Sequence, residues 1–184
     1  MLITLGIIVV TGLYLVTIYN RLVAMRQTCN QAWSDIDVQL KQRYDLIPNL
    51  VETVKGYAKH EKETLQAVID ARNTAMSAGN VADQAAAENM LTGALKSLFA
   101  LSEAYPDLKA NTNFLQLQSE LSDIENKIAA ARRFFNNSVA EYNTGQEQFP
   151  AVLLAKRFGF SIQEFFEVAA SERDAVNSSP KVNF

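Results

Sequence analysis

One cysteine, Cys29, and one histidine, His60, make up this 184-residue chain's whole supply of the two side chains that most often hold metals or act as activated nucleophiles. An intramolecular disulfide is excluded, and a reducing compartment suits the composition. Two-histidine metal sites and an H-E-x-x-H helix are excluded too, although Glu61 follows His60. Cys29 falls in an apolar helical register and reads as a small buried hydrophobe, His60 as a solvated helix residue. Both lie on what reads as one long helix, which keeps them apart and rules out a Cys-His pair. The seven glycines form no phosphate-cradling loop, and Gly56 stands alone on what reads as a crowded helix face. Basic blocks and basic-aromatic stripes are missing as well. The 17 Lys and Arg are interleaved with 20 Asp and Glu for a net charge of -3, so nucleic acid is not expected as a partner. Carboxylates such as Glu61 and Glu63, or Asp123 and Glu125, stand two apart and point to different sides of a helix, which leaves them as solvated charge. No catalytic, cofactor-binding or metal-binding residue is assigned, and no cofactor is expected.

What is present is apolar and helical. Hydrophobic residues make up 48% of the chain and charged residues 20%, enough for one compact domain plus an anchor. From Met1 to Tyr19 no side chain is charged. About 19 residues at ~1.5 Å rise span roughly 28 Å, close to the hydrocarbon core of a bilayer. The rival reading, a secretory signal peptide, lacks a basic leading region and a small-x-small cleavage site before Asn20, and the apolar run flows directly into a helical pattern. Arg21, Arg26 and Lys41 follow the span and no basic side chain precedes it, so the part beyond it is expected to be cytoplasmic.

Beyond the anchor, Cys29, Trp33, Ile36, Leu40, Tyr44, Ile47, Val51 and Val54 recur at three- and four-residue steps, one apolar stripe on a long helix. With no Gly or Pro between Gly12 and Pro48, the span is expected to continue into this helix as a stalk. Pro48 has no N–H for the Tyr44 carbonyl, so it either bends the helix, the favoured reading, or opens a new one capped by Asp45. The pattern runs on through Leu65, Val68 and Ile69 to a turn at Gly79 and Asn80. A second helix carries Ala87, Leu91, Ala94, Leu98, Leu101 and Tyr105 and ends at Pro106. Asn113 and Gln116 then form a capping-box pattern ahead of Phe114, Leu117, Leu121, Ile124, Ile128, Ala131, Phe135, Ser138 and Tyr142, a coiled-coil-like seam closed by Gly145 and Pro150. Three such helices bury their stripes by packing side by side. The expected fold is all-α, an N-terminal transmembrane helix continuing into an elongated antiparallel bundle with coiled-coil-like packing. The organisation is an anchor over 1–20, a helical bundle over 21–148, and an aromatic-rich cap and tail over 149–184. That tail, with Phe149, Phe158, Phe160, Phe165 and Phe166 around Lys156 and Arg157, either caps the bundle or lies against a membrane or partner. Its last residues, 178–184, read as frayed.

Several segments together carry a family resemblance. They are Tyr19-Asn20-Arg21-Leu22-Val23, Ala32-Trp33-Ser34-Asp35-Ile36-Asp37-Val38-Gln39-Leu40, Arg43-Tyr44-Asp45-Leu46-Ile47-Pro48-Asn49-Leu50-Val51, Ala104-Tyr105-Pro106-Asp107-Leu108-Lys109-Ala110-Asn111 and Ala130-Ala131-Arg132-Arg133-Phe134-Phe135-Asn136, followed by Phe149-Pro150 and Phe158-Gly159-Phe160. In this order and over essentially the whole length, the chain resembles the LemA family of bacterial proteins. The resemblance implies an inner-membrane protein with a cytoplasmic helical bundle, and it supplies no catalytic residues to carry over.

Two function classes follow. One is a non-catalytic membrane-anchored scaffold that self-assembles through its helices, embedded in the lipid bilayer and recruiting a membrane protein partner. Its mark is surplus apolar surface, such as Leu22, Val38, Leu46, Leu115 and Phe134 off the seams. The other is an accessory or sensor protein of a membrane enzyme such as a protease, binding a ligand or partner in a bundle groove. Its mark is a polar residue in the stripe without a structural partner, with Ser138 the foremost candidate, although Ser138 reads first as a small residue that allows close helix approach. The structural and interaction candidates are Trp33, Tyr44, Pro48, Leu121, Ile124, Phe135, Phe158 and Phe160.

Overall fold

The computed structural model describes residues 1–166. Among them the regular structure is entirely helical: α1 Leu2–Tyr57, α2 Lys62–Met76, α3 Val81–Ser102, α4 Pro106–Lys109, α5 Thr112–Glu147 and α6 Val152–Ala155. The all-α expectation holds. The expected fraying of 178–184 concerns residues outside the described ones.

The N-terminal span and the stalk are one helix, as the absence of breakers between Gly12 and Pro48 implied. Its N-terminal part is long and apolar enough to cross a membrane, and none of the side chains in that window is buried. Pro48 lies inside α1, so the alternative of a new helix capped by Asp45 is excluded. The carbonyl that Pro48 cannot serve is taken instead by a side chain, Arg72 Nε donating to Tyr44 O at 2.8 Å.

Two expectations about helix number and ends are corrected. The first helix does not run through to Met76. It stops at Tyr57, and a turn at 58–61 reverses the chain into α2, so four substantial helices replace the expected three. His60 is an exposed residue of that turn, not of a helix, and Gly56 faces open space instead of a crowded face. The turn is polar only at Lys59, His60 and Glu61, and the apolar period of Tyr57, Ala58 and Leu65 carries across it, which hides the break. The cap of α5 sits two residues earlier than expected. Asn111 Oδ1 accepts from the Phe114 N–H at 3.0 Å, because Asn111, not Asn113, stands three residues before an otherwise idle N–H. Gly145 does not close α5, which continues to Glu147. The Gly79–Asn80 turn is as expected, with Asn80 Oδ1 accepting from Asp83 N at 2.8 Å to start α3. Pro106 does not terminate α3 but opens the short α4.

The chain separates into two compact units whose boundaries fall within α1 and α5. One comprises Met1–Asp37 and Ala129–Phe165; the other comprises Val38–Ile128 with Phe166. In the first, α1 and α5 run antiparallel. Trp33 meets Phe135, with ring centroids 5.4 Å apart, while a Cβ on Gly145 would lie 2.9 Å from Met25 Sδ, so Gly145 admits the α1 side chain. Leu22 is buried beside it and leaves the set of surplus apolar residues. In the second unit, Tyr105 Oη donates to Glu61 at 3.2 Å and Asn111 Nδ2 to Tyr57 Oη at 2.8 Å. The α1–α2 and α3–α5 connections therefore share one end, and α1, α2, α3 and α5 alternate in direction as in an up-down-up-down bundle.

Burial follows the expected seam of α5 closely. Phe114, Leu121, Ile124, Ile128, Phe135, Ser138 and Tyr142 are all buried. In α3 the buried stripe is displaced by one residue at two points, Leu95 and Ser102 replacing Ala94 and Leu101, and it extends backwards through Glu88 and Gln84. The steps from Gln84 to Ser102 keep the four-three alternation, with polar residues occupying core positions.

Candidate functional site

The Val38–Ile128 unit has a charged node at its centre. Arg43, on the buried side of α1, has a side chain only 2% exposed. Its Nη1 donates to Glu88 Oε2 at 2.8 Å, and its Nη2 donates to Thr92 Oγ1 at 2.9 Å and to Glu125 Oε1 at 2.7 Å. Tyr44 Oη donates to the other Glu88 oxygen, Oε1. Gln84 Nε2 bridges the group, 2.9 Å from both Tyr44 Oη and Glu88 Oε1 and 3.2 Å from Ala75 O. Side chains of α1, α3 and α5 thus meet on one guanidinium and one carboxylate, and Gln84 ties the group to the α2 backbone. Burial, then the bond to Glu88, push the Tyr44 phenol well above its usual pKa. It remains a hydrogen-bond donor across the physiological range.

The node lies beneath an open groove of about 410 Å³ lined by Arg43, Thr92, Lys96, Gln118, Glu125 and Asn126 with Leu95, Phe99, Leu121 and Ser122. Arg43 Nε is buried without a hydrogen-bond partner. A second groove, of about 390 Å³, is bordered by Ile124 with Leu46, Asp45 and Lys127.

Sequence reasoning reached only part of this site. Tyr44 was selected as an apolar stripe member, whereas its phenol is tied into the node. Ser138, the foremost candidate for an orphan polar residue, donates to Phe134 O at 3.0 Å and is satisfied within its own helix. Arg43, Gln84 and Glu88 were missed because a search for apolar recurrence skips polar and charged residues. Their signal was phase, since each sits in step with buried apolar neighbours: Leu40, Arg43 and Ile47 on α1, Gln84, Glu88 and Leu91 on α3.

The other candidates fall in two places. Pro48 is exposed on α1, and Leu121 and Ile124 are core residues of the same unit as Tyr44. In the other unit, Trp33 pairs with Phe135, and Phe158 and Phe160 gather at Tyr19, with ring centroids 5.3 and 5.6 Å away. The Arg26 guanidinium lies 5.1 Å above the Phe160 ring. Among the described residues, no three His, Cys, Asp or Glu side chains group as metal ligands. Cys29 is buried, and burial raises its thiol pKa, the opposite of an activated thiolate.

The family model of the LemA family matches residues 32–184, which takes in both the node and the Phe158-Gly159-Phe160 segment. The chain belongs to the LemA family. Among its relatives, this LemA-family chain is 26% identical over 174 residues to the magnetosome protein MamQ of Magnetospirillum gryphiswaldense, covering 80% of the chain and 64% of the relative. It is 26% identical over 164 residues to the protein LemA of Metamycoplasma hominis, covering 87% of the chain and 74% of that protein. It is 23% identical over 175 residues to MamQ 2 of Paramagnetospirillum magneticum, where it again spans 64% of the relative's length. The chain thus spans less than two thirds of the magnetosome relatives it matches.

Proposed function

We propose that this LemA-family protein is a non-catalytic scaffold, held in the bacterial inner membrane by a single pass of α1 with the N-terminus outside and the helical units in the cytoplasm. It self-assembles through its helices and recruits membrane protein partners. The observation that carries this reading is apolar surface that stands exposed among the described residues. On the helical faces away from the core, Val38, Leu115 and Phe134 are 53%, 47% and 51% exposed. Large apolar groups in such places favour association, and tethering copies in one plane raises their local concentration without any new contact. Arg21, Arg26 and Lys41 on one side of the apolar run support the orientation. The groove above Arg43 favours a second reading, an accessory or sensor protein of a membrane enzyme such as a protease, with the groove taking a ligand or a partner segment.

The mass of the full-length protein in nanodiscs, with whatever co-purifies under gentle extraction, separates the two. A discrete homo-oligomer, with cysteine cross-links forming at Val38→Cys or Phe134→Cys in a Cys29→Ser background, is the expected result. A monomer holding a stoichiometric partner would favour the accessory reading and sink self-assembly.

A further inference from the structure

The unit that carries the uncharged run Met1–Tyr19 also carries a second apolar surface at the end of that run. Residues 149–165 turn back beyond the end of α5, meet Tyr19 at Phe158 and Phe160, and then run along α5, where side chains of that helix hold them. Asn143 exchanges two hydrogen bonds with the Gln163 backbone, both 2.9 Å, and Gln146 Nε2 donates to Ser161 O at 3.3 Å. Ala151, Ala155 and Phe160 are buried. Yet Phe149, Leu153, Phe158, Ile162 and Phe165 are 80%, 69%, 53%, 65% and 45% exposed. A frayed end would expose its polar and apolar groups alike. Here the backbone at Ser161 and Gln163 is held by α5 side chains and small side chains are packed, while the large apolar ones stand outside, an arrangement that costs hydration free energy unless something covers them.

We propose that residues 149–165 form a membrane-interface surface. Leu153, Phe158, Ile162 and their neighbours enter the headgroup boundary of the leaflet from which α1 emerges, and Lys156 and Arg157 meet anionic headgroups. The inference rests on α1 being inserted in a bilayer. Continuity identifies the occupant. Tyr19 stands at the end of the uncharged run Met1–Tyr19, in which no side chain is buried, and it touches Phe158 edge-on, so the bilayer that covers the helix reaches the patch. Composition agrees, since exposed Lys156 and Arg157 lie between Leu153 and Phe158, the mixture of basic and large apolar groups that binds anionic lipid surfaces. Tyr19 itself is an amphipathic ring of the kind that settles at headgroup depth.

The test uses the full chain with Cys29→Ser, single cysteines at Leu153, Ile162, Asn137 or Ile8 carrying an environment-sensitive fluorophore, and nanodiscs of phosphatidylcholine and phosphatidylglycerol doped with a shallow or a deep spin-labelled lipid. The shallow label should quench positions 153 and 162 about two-fold more strongly than exposed position 137 on α5, and Lys156→Glu with Arg157→Glu should reduce that difference. The deep label should quench position 8. If position 8 is quenched while 153 and 162 behave like 137, the proposal is overturned and the anchor stands. Blue-shifted emission at 153 and 162 without quenching by lipid would assign the patch to a second copy and overturn it equally. Failure to quench position 8 would remove the anchor, and the proposal with it.

Discussion

At the scale of single residues, the strongest demand is made by Glu88. It accepts from Arg43, Tyr44 and Gln84 in the core of its unit, so removing it takes the buried acceptor from Arg43 Nη1 and from the Tyr44 phenol, while Glu125 and Thr92 still hold Nη2. Breaking one side of a buried ion pair costs about 3–5 kcal/mol, whereas replacing both members with packed apolar groups is far milder. Glu88→Ala should therefore destabilise by about that amount, and Arg43→Leu combined with Glu88→Leu by much less, as read by urea unfolding followed by circular dichroism of the full chain in micelles. Equal losses would mean that the node is not a coupled unit. Tyr44 makes a separate, pH-dependent contribution. Its pKa in the folded protein is raised above the ordinary value of 10.0, first by burial and then by Glu88, so the neutral phenol is favoured by folding. That stability is fully present below about pH 10 and is lost as pH rises beyond the unfolded pKa toward the folded one. Urea midpoints should fall above about pH 10 and fall less in Tyr44→Phe. Part of the slope should survive in that variant, because burial raises the Tyr142 phenol as well.

At the scale of elements, α1 shows how a helix accommodates a proline. Pro48 leaves the Tyr44 carbonyl without its usual N–H donor, and Arg72 of α2 supplies one. Arg72→Ala should cost about 1 kcal/mol in the native sequence and less once Pro48→Ala has restored a backbone donor. A double-mutant cycle with no coupling would show that the two residues act independently. The same element shows why its end was hard to read. Periodicity detects a helix by the recurrence of its apolar face, and the turn at 58–61 is short enough for Tyr57, Ala58 and Leu65 to keep that recurrence going. The α5 seam from Phe114 to Tyr142 was legible because a helix buried along one face repeats at three and four residues whatever it packs against. The node was not legible from apolar recurrence, and although phase sets Arg43, Gln84 and Glu88 on buried stripes, it does not say that they meet one another.

At the scale of the whole molecule, the consequential question is which side of a membrane the helical units occupy. The one-sided placement of Arg21, Arg26 and Lys41 leads to the expectation that protease added to intact spheroplasts leaves them uncut and that inverted vesicles expose them. Complete digestion from the outer side would reverse the assignment. The sequence by itself determined that the fold is all-α, that an uncharged apolar helix leads directly into it, and which face of α5 is buried. Each of these follows from local composition or from a period that one helix carries alone. Tertiary structure alone decided that α1 stops at Tyr57, that Gly145 admits Met25, and that Arg43, Tyr44, Gln84 and Glu88 converge. It also decided that Phe160 is buried while Phe158, two residues away, is left outside. These depend on which residues distant in the chain become neighbours, and a buried charge is tolerated only where a specific partner meets it, a fact that no single helix contains.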